Sequence, residues 1–395
     1  MLRIFHFTVS IIMLTILSLL INNNLNKIRP KFIIQLLIIE IILAYLFLHS
    51  QIGLYFTKYI IFFFDQILIF TTIGTNFIFG NMNKEGIAYF FLNVLCPIIL
   101  ISAIIGVLKY VRVLSFIVIT FGSILAKISG MGKLESFNVI SSLILGQSEN
   151  FILYKDVLKK ISENRIYTMA VTAMSTASLS VIGAYTKMLD TKYVIAALIL
   201  NMFSTFIILS ISNPYQINDV KDIKINIFQN KKQSFFEILG EYILIGFNIV
   251  MIISAMLIAF IALISAIDTM FKSFLGITFQ EILGYLFLPI VWIIGIPTNE
   301  ALQVSKIMAI KLLTNEFIAM TELQKISQNL STNTIGIVSI FLTSFANFSS
   351  IGIIIGTIKF LNKEKGNILS QYSLKLIYNS TLINLLSTTV AALII

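Results

Sequence analysis

Two acidic side chains lie in apolar stretches of the chain, where burying a charge is costly. Glu149 follows Gln147 and Ser148 in GQSENF, and Glu316 stands in KLLTNEF. An ionisable residue inside such a segment marks a binding site or an ion pathway by default. Lys311 is five residues from Glu316, a poor spacing for a helical ion pair. We therefore predict that both acids serve a ligand or an ion.

Two further polar clusters interrupt apolar runs. One is SFANFSSIGI, with Asn347, Ser349 and Ser350 beside Phe345, and the other is AMSTASLSVIGAY, Ala173–Tyr185. Alone, small hydroxyl residues in membrane helices favour close helix packing. Together with the two acidic segments they suit a neutral ligand that has several hydroxyls and a flat ring, such as a nucleoside. A dicarboxylate would instead require arginine.

Enzyme chemistry has no support in the sequence. Only two histidines, His6 and His49, are present, so a Ser-His-Asp set is not available. The stretch SGMGK, Ser129–Lys133, lacks the first glycine and the Ser/Thr of a phosphate-binding loop. The single cysteine, Cys96, excludes an intramolecular disulfide and a cysteine metal site. We therefore expect no cofactor and no metal.

The composition indicates an all-α polytopic membrane protein that carries these residues within the bilayer. Of 395 residues, 57% are hydrophobic and 12% are charged, and the mean hydropathy is +0.95. A soluble domain has about 25% charged residues. The net charge of +10 falls in short clusters between apolar runs, which indicates membrane orientation rather than a nucleic-acid partner. No cleavable signal peptide is expected.

Apolar runs and basic clusters together predict the topology. Eight runs are long enough to span, at residues 5–22, 32–49, 88–108, 166–188, 191–211, 238–267, 335–358 and 370–395. The basic clusters are Lys27/Arg29/Lys31, Lys155/Lys159/Lys160/Arg165, Lys221/Lys224/Lys231/Lys232 and Lys359/Lys363/Lys365. If all four clusters face the cytoplasm, two spans separate each successive pair and both termini lie outside.

Three apolar stretches do not fit a simple span. Leu54–Phe70 is predicted to be an amphipathic helix at the interface. Glu135–Leu158 and Ile282–Phe317 each carry a polar break, which predicts two opposed re-entrant helical hairpins with tips at Gly146 and Gly295–Pro297. Two such hairpins, each followed by two spans, form an inverted repeat around a midplane site.

The positions expected for Glu300 and Glu316 depend on the second predicted tip. Glu316 would follow this tip by about five helical turns. Glu300 would lie close to the tip, as an acid at a helix N-terminus that faces water.

The motifs resemble a known family. GQSENF, MSTASLSVIGAY, GIPTNEALQV with KLLTNEF, and SFANFSSIGI occur in this order across essentially the whole chain. In this they resemble the concentrative nucleoside transporters, in particular the NupC-like bacterial permeases. The resemblance implies a nucleoside importer in the bacterial inner membrane, working as a homotrimer by an elevator mechanism.

The resemblance also implies a division into scaffold and transport domains. Residues 1–130 would be scaffold, 131–211 the first transport repeat, 212–234 a cytoplasmic loop, 235–278 a long crossing scaffold helix, and 279–395 the second transport repeat. The implied substrate-binding residues are Gln147, Ser148, Glu149 and Val181 for the nucleobase and Glu316, Phe345, Asn347 and Ser350 for the ribose.

The resemblance is weakest at the cation site. Sodium-coupled members supply oxygen atoms from four positions, which are Ser142, Leu145, Thr176 and Ala177 in this chain. Ser142 is shorter than the family's asparagine, so coupling to H⁺ is favoured over Na⁺. The proton would be carried by Glu316 or Glu149, and the sequence does not choose between them.

Three alternatives stay open at this point. The chain could be a sodium-coupled nucleoside symporter, an elevator carrier for another polar metabolite, or a passive nucleoside pore. The preference for purines or pyrimidines is not determined by the sequence.

Overall fold

A computed structural model describes residues 1–22, 24–80, 90–215 and 233–395. Within these ranges every regular element is helical, as predicted. The third basic cluster and most of the predicted loop 212–234 lie outside the described residues.

The helices of the described ranges share a mostly apolar composition. They are α1 Leu2–Leu20, α2 Pro30–His49, α3 Gln51–Phe79, α4 Pro97–Tyr110, α5 Val113–Ser129, α6 Lys133–Ile144, α7 Gln147–Leu153, α8 Lys155–Leu158, α9 Glu163–Ser175, α10 Leu179–Met188, α11 Thr191–Ser212, α12 Phe235–Leu275, α13 Phe279–Ile294, α14 Thr298–Leu313, α15 Glu316–Ile326, α16 Thr332–Leu342, α17 Phe348–Leu361, α18 Lys363–Ser370 and α19 Ser373–Ile394.

Eight helical segments of the described ranges are long and apolar enough to cross a membrane, but they differ from the predicted eight. Seven coincide with predicted spans. The predicted span 335–358 is interrupted, since α16 ends at Leu342 and α17 begins at Phe348. In its place, α3 qualifies by length and composition. The interfacial position of α3 stays a prediction.

The longest helix, α12, packs against α4 through small residues. A Cβ atom added at Gly246 would lie 2.8 Å from the Ser102 Cβ atom and 2.9 Å from the Ile99 Cα atom. At Gly106 it would lie 2.8 Å from the Tyr242 Cβ atom. Glycine at these positions lets the two helix backbones approach closely, as is usual between membrane helices.

Most of the other helices form two copies of one arrangement. In the first, α5 pairs with α6, and α6–α7 is followed by the broken helix α9/α10 and by α11. In the second, α13 pairs with α14, and α14–α15 is followed by the broken helix α16/α17 and by α19. Both predicted polar clusters coincide with breaks: α9 ends at Ser175 and α10 begins at Leu179, and the second break separates α16 from α17.

The predicted tip of the second hairpin is wrong. Gly295–Pro297 forms a corner between the paired helices α13 and α14, where Gly295 has φ +102° and packs against the His6 ring. The break equivalent to Leu145–Gly146 is Thr314–Asn315, between α14 and α15. Glu316 therefore follows its break directly, instead of lying about five turns from it.

One predicted cytoplasmic cation is buried. Arg165 is 5% exposed and forms a bidentate ion pair with Glu135, in which Nη2 donates to Oε2 at 2.9 Å. The pair ties α9 to α6. A buried arginine needs a paired acid, which here is Glu135. A position in a basic cluster of the sequence therefore does not indicate that the side chain is exposed.

The first two helices pack against the last helices of each repeat. The nearest partners of α1 and α2 are α19 and α11. The Tyr378 hydroxyl donates to the Leu17 carbonyl at 3.1 Å, and His49 Nε2 lies 2.9 Å from the Ile394 carbonyl. The assignment of α1 and α2 to a scaffold domain stays a prediction.

Candidate functional site

The four breaks in the two repeats surround one cavity. The cavity has a volume of about 110 Å³. The N-termini of α7, α15 and α17 and the break between α9 and α10 supply its polar lining. Three isoleucines of α12, Ile249, Ile252 and Ile253, form an apolar wall on one side.

All eight residues predicted to bind substrate line this cavity. They are Gln147, Ser148, Glu149, Val181, Glu316, Phe345, Asn347 and Ser350. Residues that are about 200 positions apart in the chain, such as Gln147 and Ser350, are brought within hydrogen-bonding distance, at 3.3 Å between Nε2 and Oγ. Their binding roles stay predictions, but the structure brings them together.

Glu316 is held by two donors. Its Oε1 accepts from the Tyr185 hydroxyl at 2.8 Å, and its Oε2 accepts from Asn347 Nδ2 at 2.9 Å. Asn347 also caps α17, because its Oδ1 accepts from the Ser350 amide at 2.8 Å and from the Ser349 hydroxyl at 2.7 Å. The carboxylate is therefore fixed in orientation by two elements.

The other acid is much less satisfied. Glu149 Oε2 accepts from the Gly146 amide at 3.4 Å, while Glu149 Oε1 and Gln147 Oε1 are buried without a hydrogen-bond partner. Buried polar atoms are normally paired, and leaving one unpaired costs about 1–3 kcal/mol. Two such acceptors on one wall call for a ligand that donates hydrogen bonds to both.

Ser148 faces α17 as well as the cavity. Its Oγ atom lies 3.0 Å from the Thr357 hydroxyl, which donates to it. Val181 and Phe345 contribute apolar surface next to these polar groups. Phe345 also joins the two breaks, since its amide donates to the Thr176 carbonyl at 3.2 Å.

Glu300 is not the water-facing acid that the sequence predicted. It is 8% exposed, and its two oxygens accept from the amide and the hydroxyl of Ser331 at 3.1 and 3.2 Å. Ser331 is the N-cap of α16. Glu300 therefore anchors the start of α16 and does not line the cavity.

The four predicted cation-site positions are buried at the first hairpin and the first broken helix. They are Ser142, Leu145, Thr176 and Ala177. Among the described residues, no group of three His, Cys, Asp or Glu side chains could hold a metal ion.

The Ser142 hydroxyl already forms two hydrogen bonds within the protein. It donates to the Asn138 carbonyl at 2.6 Å and accepts from Asn150 Nδ2 at 2.8 Å. The same Asn150 amide donates to Asn138 Oδ1 at 2.7 Å. The Asn150 amide N–H group therefore already occupies a lone pair of the Ser142 oxygen, the atom that a sodium ion would need at this position.

Sequence reasoning missed three parts of the site. Tyr185 lies in a quoted motif, but nothing in its spacing indicated a bond to Glu316. The break at Asn315 had a signal, an Asn that caps the next helix by accepting from the Ile318 amide at 3.1 Å. The α12 wall comes from a long, mostly apolar helix, and no sequence pattern marks its three isoleucines.

The chain matches three family models that together cover most of its length. Residues 9–82 match the Na⁺ dependent nucleoside transporter N-terminus, residues 91–192 match the nucleoside recognition (Gate) model, and residues 193–392 match the Na⁺ dependent nucleoside transporter C-terminus.

Individual relatives agree with the family models. The chain is 32% identical to the purine nucleoside transport protein NupG of Bacillus subtilis, over 98% of each protein. It is 26% identical to the nucleoside permease NupC of Helicobacter pylori, over 98% of this chain and 97% of that protein. The structure of CNTnw in an inward-facing substrate-bound state shares the fold, with a TM-score of 0.92, 24% identity and 100% of both chains covered.

Proposed function

The chain belongs to the concentrative nucleoside transporter family, and from this premise we propose that it imports nucleosides across a bacterial inner membrane. Purine nucleosides are the first substrates to test, because the 32% identical relative is named for them. The expectation from the motifs, a member of this family, is confirmed.

The observation that supports this substrate class is the pairing of two unlike polar walls. One wall offers the unpartnered acceptors Gln147 Oε1 and Glu149 Oε1, which suit the N–H groups of a nucleobase. The other offers Glu316 with Asn347 and Ser350, which suit the hydroxyls of a ribose. A site built to bind a hydroxyl rejects analogues that lack it, because its buried partners are left unpaired.

We further propose that the coupling ion is H⁺. The Asn150 amide donates to the Ser142 oxygen, so a sodium ion bound by this oxygen would compete with a hydrogen bond of 2.8 Å. Glu149 is the proposed proton carrier. It has one weak hydrogen bond, at 3.4 Å, and an unpartnered oxygen, whereas Glu316 has two close donors.

The proposed mechanism is an elevator. The polar lining belongs to the two repeats, while the facing wall of α12 consists of isoleucines. An apolar wall forms no hydrogen bonds that would resist sliding, so the repeats can move along α12 with the ligand. Assembly as a homotrimer, implied by the resemblance, is part of this proposal.

Uptake into vesicles tests the function and the ion together. Purified protein in vesicles should accumulate radiolabelled inosine above equilibrium when the lumen is alkaline, with or without Na⁺. A sodium gradient that drives uptake at equal pH would refute proton coupling. Uptake that only equilibrates would indicate a passive pore.

Competition separates the remaining alternative. Unlabelled guanosine and uridine should reduce inosine uptake, whereas ribose, free bases, amino acids and dicarboxylates should not. Strong competition by an amino acid or a dicarboxylate would indicate a carrier for another polar metabolite.

A further inference from the structure

Lys311 is a charged residue buried beside the cavity that the proposed transport does not use. Its exposed fraction is 0%, and it is the one fully buried lysine among the described residues. An ammonium group is kept in such surroundings only when it is paired or hydrogen-bonded. Its partners therefore indicate what it does.

The Lys311 ammonium contacts the second broken helix. Nζ donates to the Ser344 hydroxyl at 2.8 Å and lies 4.8 Å from the centre of the Phe341 ring. Ser344 Oγ also accepts from Asn384 Nδ2 at 2.6 Å. The lysine of α14 thus holds the break between α16 and α17 against α19.

This break leads back to Glu316. Three residues after Ser344 comes Asn347, which donates to Glu316 Oε2 at 2.9 Å. The hydrogen bonds of Lys311 and Glu316 go to other residues, and no direct ion pair forms between them. The two charges therefore lie on either side of the Thr314–Asn315 break and are joined through the turn 344–347.

Lys311 and Ser344 occupy positions that have equivalents in the first repeat, one at the end of a helix before a break and one within the following broken helix. Lys311 lies two residues before the last residue of α14, as Ser142 does in α6. Ser344 is the second residue of its break, as Ala177 is in the first repeat. In the second repeat, the position equivalent to Ser142 is therefore occupied by the ammonium group of Lys311.

We propose that Lys311 is a positioning residue that keeps Glu316 ionised and oriented, so that the carboxylate accepts hydrogen bonds from the ligand. A buried carboxylate without a cation takes up a proton instead. Both groups that touch Glu316, Tyr185 and Asn347, donate to it, as is expected of the partners of a carboxylate. The titratable groups facing it are Tyr185 on α10, Lys311 on α14 and Glu149 across the cavity.

A ligand-free stability cycle tests the charge coupling. The variants are Lys311→Met, Glu316→Gln and the double variant, measured by melting temperature in detergent. Each single variant should melt well below the wild type, because the remaining group is buried without its counter-charge or has to change its protonation state, and the double variant should recover most of the loss. Additive losses in the double variant would overturn the proposal.

Ser344→Ala is the matched control. It removes the hydrogen bond of Lys311 but keeps both charges. The loss in its melting temperature should depend on Glu316 far less than that of Lys311→Met does, because the coupling between the two charges remains. A dependence on Glu316 as strong as that of Lys311→Met would show that the lysine acts through Ser344 alone, which contradicts the proposal.

Ligand affinity as a function of pH distinguishes positioning from packing, and this part rests on the proposed function. Lys311→Met should bind inosine on the order of tenfold more weakly than the wild type at neutral pH. The ratio of the two Kd values should fall towards one as pH rises, because Glu316 then loses its proton. A ratio independent of pH would refute positioning. If the wild type binds no nucleoside, the proposed function fails, and the stability cycle still decides the role of Lys311.

Discussion

At the scale of single residues, the two cavity acids differ in how far the protein satisfies them. Glu316 receives hydrogen bonds from Tyr185 and Asn347, whereas Glu149 Oε1 has no partner. The protein thus supplies the hydrogen-bond partners of Glu316 itself, whereas a partner for Glu149 Oε1 has to come from a ligand in the cavity. This asymmetry explains why we assign the sugar to Glu316 and the proton to Glu149.

Replacing either acid should abolish uptake without unfolding the protein. Glu149→Gln and Glu316→Gln each remove a ligand acceptor and should reduce inosine uptake at least tenfold, since a hydrogen bond to a charged group contributes about 1.5–3 kcal/mol. Glu300→Gln is the control: it alters a buried acid that caps α16, so the KM for inosine should not change. Normal transport by either cavity variant would show that the site is misplaced.

Nucleosides that lack a ribose hydroxyl should bind more weakly, and Glu316 should be the reason. We expect 2′- or 3′-deoxyinosine to lose about 1–3 kcal/mol of binding free energy in the wild type, because a buried acceptor is left unpaired. The loss for at least one analogue should disappear in Glu316→Gln. Binding measured by calorimetry in detergent checks this, and an unchanged discrimination in the variant would contradict the assignment of the sugar.

At the scale of elements, short breaks in helices create the site. The helix pairs α6–α7 and α14–α15 each have a two-residue break, and the polar residues after these breaks line the same cavity. The long helix α12 contributes no polar group to the cavity and is held to α4 by glycines. The polar lining of the cavity therefore belongs to the repeats, and α12 faces it with apolar side chains.

Two glycines of α12 should respond differently to alanine. Gly246→Ala places a methyl group 2.8 Å from the Ser102 Cβ atom and should lower the melting temperature and the yield of folded protein. Gly240→Ala is its control on the same helix, because nothing lies within 4 Å of the added Cβ atom. Gly240→Ala should be neutral or slightly stabilising. Equal effects of both would refute the close contact of α4 and α12.

The sequence was sufficient for the parts of the site that follow strong local signals. GQSENF and SFANFSSIGI are polar stretches in apolar runs, and the breaks occur where they predict them. In the second repeat, Gly295 and Pro297 are stronger sequence signals for a turn than Thr314–Asn315. The sequence therefore predicted the tip at the wrong one of these two positions. The bond from Tyr185 to Glu316 and the burial of Lys311 depend on tertiary packing, which local patterns do not encode.

At the scale of the whole molecule, the cavity must open to one side of the membrane at a time for transport to be concentrative. Ser349 lines the cavity and is half-buried. In a Cys96→Ala background, Ser349→Cys should react with a membrane-impermeant thiol reagent from both faces, and inosine should slow both reactions. Lys363→Cys is the control, since the predicted topology places it on the cytoplasmic face only. Reaction of Ser349→Cys from one face alone would argue against an elevator.

The first helix of the chain is anchored to elements that are synthesised last. Tyr378 of α19 bonds to the Leu17 carbonyl, and His6 Nδ1 lies 3.2 Å from the Ile293 carbonyl at the end of α13. During translation, α1 must therefore wait in the bilayer without its main neighbour, α19, until the last segment leaves the ribosome. A nascent chain interrupted before residue 373, where α19 begins, would leave the apolar surface of α1 without this partner, whereas α2 could already pack against α11.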